Sequence, residues 1–427
     1  MSGQPVVVVG TTADYIALIA QRHPGRALFI TDPTERQKSI YPAPPAGDEL
    51  LCDLSDYALV LARLQEHLQR RGQRPAGVAC FDCESLGLAA VLAKELGLSF
   101  PSAASVAASR NKLISKELWQ QAGVTCPCCA AVASDQEAAQ LPQTLGVPLI
   151  MKPQTGSGSE LVFLCHDAEQ CGQAFAALHQ GLAQHPNRRL YPQGDAAGPD
   201  PRRVFVAEQF IAGEEYSCDF LLEQGRVRII RLARKYPAPG QPVGTIQAYQ
   251  MPAPLPAGLS WEGLTAQLAA AARALGLSRA VCMADLMVAG GAAYLIELTP
   301  RPGGDCLPPL IQHSSGLDML GLTLDFALGQ PIALPAPEEW RPMVGLRLFA
   351  RQEGVVRCID LSRLQQDPRV RECTLRQPPG SRVLLPPRDY DSRLLGQVIF
   401  APRPDVAIPD QCQELAQMLT VEMEPAS

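Results

Sequence analysis

Asp285 and Glu297 carry the most chemistry by type and spacing in this 427-residue chain. They lie in the segment Cys282–Asp305, CMADLMVAGGAAYLIELTPRPGGD. There two apolar runs flank Ala289-Gly290-Gly291-Ala292-Ala293 and predict a β-hairpin. Register decides what the acids do. A two-residue Gly290-Gly291 loop pairs Asp285 with Ile296 and sends Glu297 to the opposite face. An odd loop centred on Gly291 pairs Asp285 directly with Glu297. Thr299, two residues on, shares the face of Glu297. Carboxylates directly opposite one another, roughly 5 Å apart at Cβ, repel. A hard divalent cation relieves that repulsion, using carboxylate oxygens together with substrate phosphates. The alternative is one acid in solvent and the other paired with Arg301.

A second group of residues suits an anion. Pro148–Pro153 is an apolar run ending in Lys152, and Gln154-Thr155-Gly156-Ser157-Gly158-Ser159 follows. Small residues let backbone N–H groups approach a phosphate, and a lysine beside them offsets its charge. The spacing is not that of a GxxxxGK[ST] loop, and an ordinary turn is the bland alternative. Val204–Ile211, VFVAEQFI, then runs into Ala212-Gly213-Glu214-Glu215. A strand passing into such a linker can offer backbone groups and a carboxylate to an adenine and a second acid to a ribose. Glu208 and Glu215 are the candidates, while Glu214 reads as a solvated surface residue.

These groups need elements to position them. Val6–Val9 and Ala27–Ile30 read as buried strands. Ser55 is expected to cap a helix with Tyr57, Leu61, Leu64 and Leu68 on one stripe, ended by Gly72. Val78–Phe81 reads as a strand and Ser85–Leu96 as a helix. This βα alternation predicts a parallel sheet. Gly10-Thr11-Thr12 follows the first strand without a GxGxxG, so dinucleotide binding is poorly supported there. Asn111–Ala122 predicts a helix, and Gly181–Arg203, rich in Pro, Gly, Asp and Arg, a long exposed loop. Strands are expected at Val204–Glu208, Cys218–Leu222, Val227–Arg231, Cys282–Met287 and Tyr294–Leu298. Trp261, Leu264, Leu268, Ala272 and Leu275 mark an amphipathic helix. Pro331–Pro342, with four prolines, reads as a linker to short strands and a helix near Gln411–Leu419.

Composition bounds the function. Forty-three acids against 37 Lys and Arg, with 5% aromatics, make a poor nucleic-acid binder. No apolar run approaches the ~18 residues of a membrane span. The N-terminus lacks the pattern of a signal peptide, so a cytoplasmic location is expected, with most of the 14 cysteines reduced and buried. Cys80/Cys83 and Cys126/Cys129 have CxxC spacing that a four-thiolate zinc site would use, but both lie in segments explained by a strand end and a loop. Only six basic residues are lysines: Lys38, Lys94, Lys112, Lys116, Lys152 and Lys235. Three of them fall inside motifs.

The order of these features resembles the ATP-grasp superfamily. It is carried by Arg110-Asn111-Lys112, the Lys152 strand and its small-residue loop, Glu208–Glu215, and Asp285 with Glu297-Leu298-Thr299-Pro300-Arg301. Within it the chain looks most like carboxylate–amine ligases, in particular L-amino-acid ligases. Gly345–Phe349, Glu353-Gly354-Val355 and Pro379–Val383 are similar, more loosely, to the small C-terminal domain of those ligases. The resemblance implies an α/β ATP-grasp fold. Residues 1–105 would be an N-terminal parallel α/β domain supporting the substrate side. Residues 106–330 would be the ATP-grasp domain, with a lid at about 125–205, and 331–427 a small β-rich C-terminal domain.

It also implies roles. Lys112, Lys152 and the Gly156-Ser157-Gly158 loop would hold ATP phosphates. Glu208 would accept from the adenine amino group, with Phe210 and Ile211 along the hinge, and Glu215 would bind the ribose. Lys235 sits where D-alanine–D-alanine ligases carry a phosphate-binding lysine. Asp285 and Glu297 would carry Mg2+ or Mn2+, and Arg301 would face the reacting carboxyl group. The family usually has Asn at the position of Thr299. The shorter hydroxyl leaves either a water in the gap or a weakly held second metal. The implied reaction joins a small carboxylate and an amine, both expected to be amino acids, through an acyl phosphate. Carboxyphosphate chemistry like that of biotin carboxylase, and a non-catalytic nucleotide-binding role, are the competing readings. His313 and the Asp305–Ser315 segment are candidates for the substrate pocket. A homodimer is an open expectation, since similar enzymes commonly dimerise.

Overall fold

The computed structural model describes residues 4–192 and 200–425. Four strands, Val6–Val9, Ala27–Thr31, Glu49–Leu51 and Gly77–Ala79, form a parallel sheet in which Val6–Val9 lies between Ala27–Thr31 and Gly77–Ala79. Val6–Val9 is fully buried because both faces are covered. Val7 and Val9 join a core with Leu64, Leu86 and Leu92. Val6 and Val8 join another with Ile16, Ile19, Leu320 and Leu324. The helix Tyr57–Arg71 corrects the expected stripe. Asp56, not Ser55, caps it by accepting from the Leu59 amide at 2.9 Å. Val60, Leu64, His67 and Leu68 face the core, while Tyr57 is 37% exposed.

Cys129–Val132, Phe205–Gln209, Leu149–Lys152 and Phe163–Cys165 make a four-stranded antiparallel sheet. Helices Asp135–Thr144 and Ala168–Ala183 supply the core packed on it. The expected exposed loop over 181–203 is only partly so. Gly181–Ala183 end a helix, and Leu190, Tyr191 and Arg202 are buried, with Arg202 Nε donating to the Tyr191 carbonyl at 2.8 Å. Leu190 and Tyr191 are the apolar anchor that a polar average over the segment hides. Residues 193–199 of that loop lie outside the described residues.

The central element is an eight-stranded sheet. Its order is Ala292–Thr299, Arg279–Ala289, Glu214–Glu223, Arg226–Pro237, Ile246–Met251, Met343–Phe349, Leu394–Phe400 and Val370–Leu375. It continues across the proline-rich stretch 331–342 without a break in pairing, since Ile246–Met251 pairs with Met343–Phe349. Helix Trp261–Ala274 packs on one face through Leu264, Leu268, Ala271 and Ala272. Trp261 does not share that stripe, being 49% exposed. Helices Leu307–Ser315 and Met319–Ala327 cover the other face beside Leu221, Ile230, Val281 and Met251. Arg382–Val383, Gly354–Asp360 and Thr420–Glu424 form a small three-stranded sheet. No helix among the described residues is long and apolar enough to cross a membrane.

Leu268 is fully buried at the centre of the largest of these cores. Leu268→Ala is therefore expected to lower the unfolding free energy by about 2–5 kcal/mol in urea titrations.

Candidate functional site

The hairpin resolves the register question in an unexpected way. Ala289 pairs with Ala292, so the loop is the two-residue Gly290-Gly291 turn, with φ of +57° and +76°. Both values need the left-handed region that glycine adopts without strain. Yet Asp285 still pairs with Glu297. Leu286 faces Leu295, and the register shifts before Asp285 meets Glu297, leaving Ile296 as an extra residue. A β-bulge has repaired what the loop length alone would have misaligned.

The acids therefore share one face of the sheet with Glu215, and lysines sit among them. Lys235 Nζ lies 2.5 Å from Glu215 Oε1 and 3.0 Å from Asp285 Oδ2. Burial opposes its charge, but Asp285 and Glu215 hold the ammonium well above the ordinary lysine range. Lys112 Nζ lies 3.7 Å from Glu297 Oε2 and donates to the Gly156 carbonyl at 3.4 Å. Burial pushes the Glu297 carboxyl up, but Lys112, Lys235, Lys152 and Arg301 together hold it below its usual value. Thr299 is buried opposite Met283, on the same face as Glu297.

The loop after Lys152 is held from several sides. Asn111 caps helix Lys112–Gln121, and its Nδ2 donates to Gln154 Oε1 at 2.8 Å. Gln154, fully buried, donates in turn to the Val204 carbonyl. Thr155 Oγ1 donates to the Leu190 carbonyl and Ser159 Oγ to the Gly244 carbonyl. Ser157 and Gly158 are exposed between these anchors. Gly156 has φ +125°, and an added Cβ would lie 2.9 Å from Tyr191 Oη, so side chains are barred there. The outcome is a backbone loop tied at both ends with an open middle.

Lys152 and Glu208 meet across paired strands, Nζ to Oε2 at 2.7 Å. The other Glu208 oxygen faces Lys116 at 3.2 Å. Glu208 is 2% exposed, so its side chain is turned to lysines and not to an open adenine pocket. Phe210, half-buried, and Ile211, buried, continue from the strand end; the Phe210 amide donates to the Pro148 carbonyl.

Arg301 donates from Nε to Cys83 Sγ at 3.2 Å and from Nη1 to the Pro302 carbonyl at 2.7 Å. Cys83 belongs to the loop after the Gly77–Ala79 strand, so two sheets meet at this guanidinium. The loop that carries Arg301 rests on a pair that sequence reasoning missed. Asp219 and Arg231 are completely buried, joined at 2.9 Å, and Asp219 Oδ1 accepts from the Gly303 amide at 2.9 Å. Their sequence signal is faint, since Asp219 and Arg231 are each one of several charges in their strands.

The candidates outside this cluster have partners of their own. His313 turns to Glu372 at 2.9 Å, and Asp305 to Arg347 at 2.7 Å. The CxxC cysteines are free thiols with other neighbours. Cys80 donates to the Asp82 carbonyl, and Cys126 and Cys129 lie beside Lys116 and Glu208. Among the described residues no three His, Cys, Asp or Glu close on a metal by themselves. The carboxylates at Asp285 and Glu297 suit a cation that brings phosphate oxygens with it, because Mg2+ needs only one or two protein carboxylates.

Glu208 sets a pH dependence. Burial pushes its carboxyl up, but Lys116 and Lys152 outweigh burial and hold it below the usual range. A depressed acid stabilises the fold fully above its unfolded value, and that stability is lost as pH falls through the folded value. Wild type should therefore be more stable than Glu208→Gln at about pH 6, with the gap closing toward about pH 3 in urea titrations.

Residues 145–309 match the ATP-grasp domain family. Human carnosine synthase 1 is 27% identical over 304 residues, covering 68% of this chain and 35% of its own length. The D-alanine–D-alanine ligase of Verminephrobacter eiseniae is 29% identical over 245 residues, covering 54% of this chain and 67% of its own. The chain thus spans about a third of the carnosine synthase it matches. The crystal structure of an L-amino acid ligase from Bacillus licheniformis superposes with a TM-score of 0.79 at 19% identity, over 99% of this chain and all of that one. The stretch from the Lys152 strand to the Arg301 loop matches an ATP-grasp domain, and the whole chain has the fold of an ATP-grasp ligase.

Proposed function

We propose that this chain is an ATP-dependent carboxylate–amine ligase that joins two small molecules, at least one of them an amino acid. The observation that carries the reading is the pairing of Asp285 with Glu297 beside Lys112 and Lys235, four residues before Arg301. D-alanine–D-alanine ligase, named for joining two amino acids, supports the substrate class.

The steps follow from the side chains. A carboxylate oxygen of the donor attacks the γ-phosphorus of ATP in line, and the bond to the β,γ-bridging oxygen breaks to release ADP. Lys112, Lys152 and Lys235 offset the charge gathered on the phosphates, and the exposed Ser157-Gly158 backbone approaches them. Glu208 acts through Lys152, orienting its ammonium, while the Phe210–Ile211 backbone borders the adenine. Glu215 receives the ribose. Asp285 and Glu297, with Thr299 beside them, would hold Mg2+ or Mn2+, which would polarise the phosphoryl oxygens. The product is an acyl phosphate. A neutral amine adds to its carbonyl carbon, Arg301 stabilises the oxyanion, phosphate leaves, and the amine gives up a proton. Acyl phosphates hydrolyse, so the sheet over residues 125–205 serves as a lid that excludes water.

A matrix of amino acids and small acids screened for MgATP-dependent phosphate release, with products weighed by mass spectrometry, tests the reading. At least one pair should give an amide. Lys152→Ala and Glu297→Ala should each reduce release by about 10²-fold or more with the fold intact. Unchanged turnover in both would remove the proposal. Arg301→Met should lower kcat by about 10²-fold while leaving ADP affinity near wild type, because its partner is the reacting carboxyl and not the nucleotide.

A further inference from the structure

Lys116 has no part in the phosphate or metal roles above, yet it is a fully buried cation beside the site. It is 0% exposed and sits on helix Lys112–Gln121, one turn beyond Lys112. Its Nζ donates to the Ile296 carbonyl at 2.5 Å, faces Glu208 at 3.2 Å, and stands 5.2 Å from the Trp119 ring centre. Ile296 is the extra residue of the bulge.

What the bulge does is visible in the neighbouring side chains. Ala293, Leu295 and Leu298 all belong to the core under helix Trp261–Ala274. Leu295 and Leu298 are three apart, a spacing that a regular strand would send to opposite faces. The extra residue at 296 reverses the alternation and turns Glu297 and Thr299 away from that core, toward Asp285. A bulge leaves its carbonyl outside the ladder, and a buried carbonyl needs a donor. Lys116 is that donor.

We propose that Lys116 is a positioning residue for the acidic pair: by holding the Ile296 carbonyl it fixes the bulge that aims Glu297 at Asp285. It also ties that bulge to Glu208, and so to the strand end beside the adenine. This rests on the ligase reading only for the use to which Glu297 is put.

The test is a binding measurement on the full chain. Mn2+ is titrated into protein saturated with ADP and followed by electron paramagnetic resonance, and metal-free ADP affinity is measured separately. Methionine fills the volume of Lys116 without donating. Lys116→Met should weaken Mn2+ by about tenfold or more, as loss of a residue supporting a metal ligand does. Metal-free ADP affinity should change far less. The second variant removes Ile296 in the Lys116→Met background. Leu295 is then followed directly by Glu297, the alternation comes out right without a bulge, and Mn2+ affinity should recover most of the loss. A folded Lys116→Met with wild-type Mn2+ affinity, or no recovery on removing Ile296, overturns the proposal. Wild type that binds no Mn2+ with ADP would instead sink the nucleotide reading and this inference with it.

Discussion

Like charges on one face of a sheet are the constraint around which the rest is arranged. Glu215, Asp285 and Glu297 all project from the same side of three adjacent strands. Burial raises the Glu215 carboxyl above its usual value, and the charges of Asp285 and Glu297 add to the rise. Lys235 stands between Glu215 and Asp285, and Lys112 beside Glu297, so each acid has an ammonium partner. Such a balance of buried charges contributes little net stability. On the proposed reading, its value lies in keeping oxygen ligands and ammonium groups at fixed places where a polyanion and its cation would replace part of the internal pairing.

The central sheet divides this labour by face and by end. Tyr216, Cys218, Phe220 and Leu222 alternate into the core under helix Trp261–Ala274. The residues between them, Glu215, Ser217, Asp219 and Leu221, pass from carboxylate to apolar along the strand. Leu221 packs with helix Leu307–Ser315. Asp219, midway, spends its charge on Arg231 and on the Gly303 amide. One strand thus anchors a hydrophobic layer, props the Arg301 loop and supplies an acid to the site, with only its period-two alternation to keep the three tasks apart.

Much of this was legible in the sequence. The apolar periodicities placed the sheets, and the order Lys112, Lys152, Glu208, Glu215, Asp285, Glu297, Arg301 pointed to the fold before any geometry was known. The Asp285–Glu297 pairing was foreseen as one of two registers, but its cause was not. That pairing was tied to an odd loop, and a two-residue loop plus a bulge was found instead, because a bulge is written in how a strand packs and not in its turn residues. Lys116 was invisible for a related reason. A lysine on a helix reads as a solvated side chain unless the carbonyl it serves is known. Tyr57 and Trp261 failed in the opposite direction: hydrophobic spacing put them on a stripe, and the helix starts turned them outward.

Thr299 shows how little the metal asks of the strand on the proposed reading. It is 6% exposed on the Glu297 face, with a side chain shorter than the asparagine the family usually carries there. A third charged ligand at this point would deepen the repulsion that Lys112 and Lys235 already offset. A neutral hydroxyl does not. Mg2+ dehydrates reluctantly and arrives on the nucleotide with phosphate oxygens and waters in place. Two carboxylates are then enough to orient it. On that reading the ligand lost between amide and hydroxyl is one that water would supply, and the demand would fall on the register of the acids and not on the length of their neighbour.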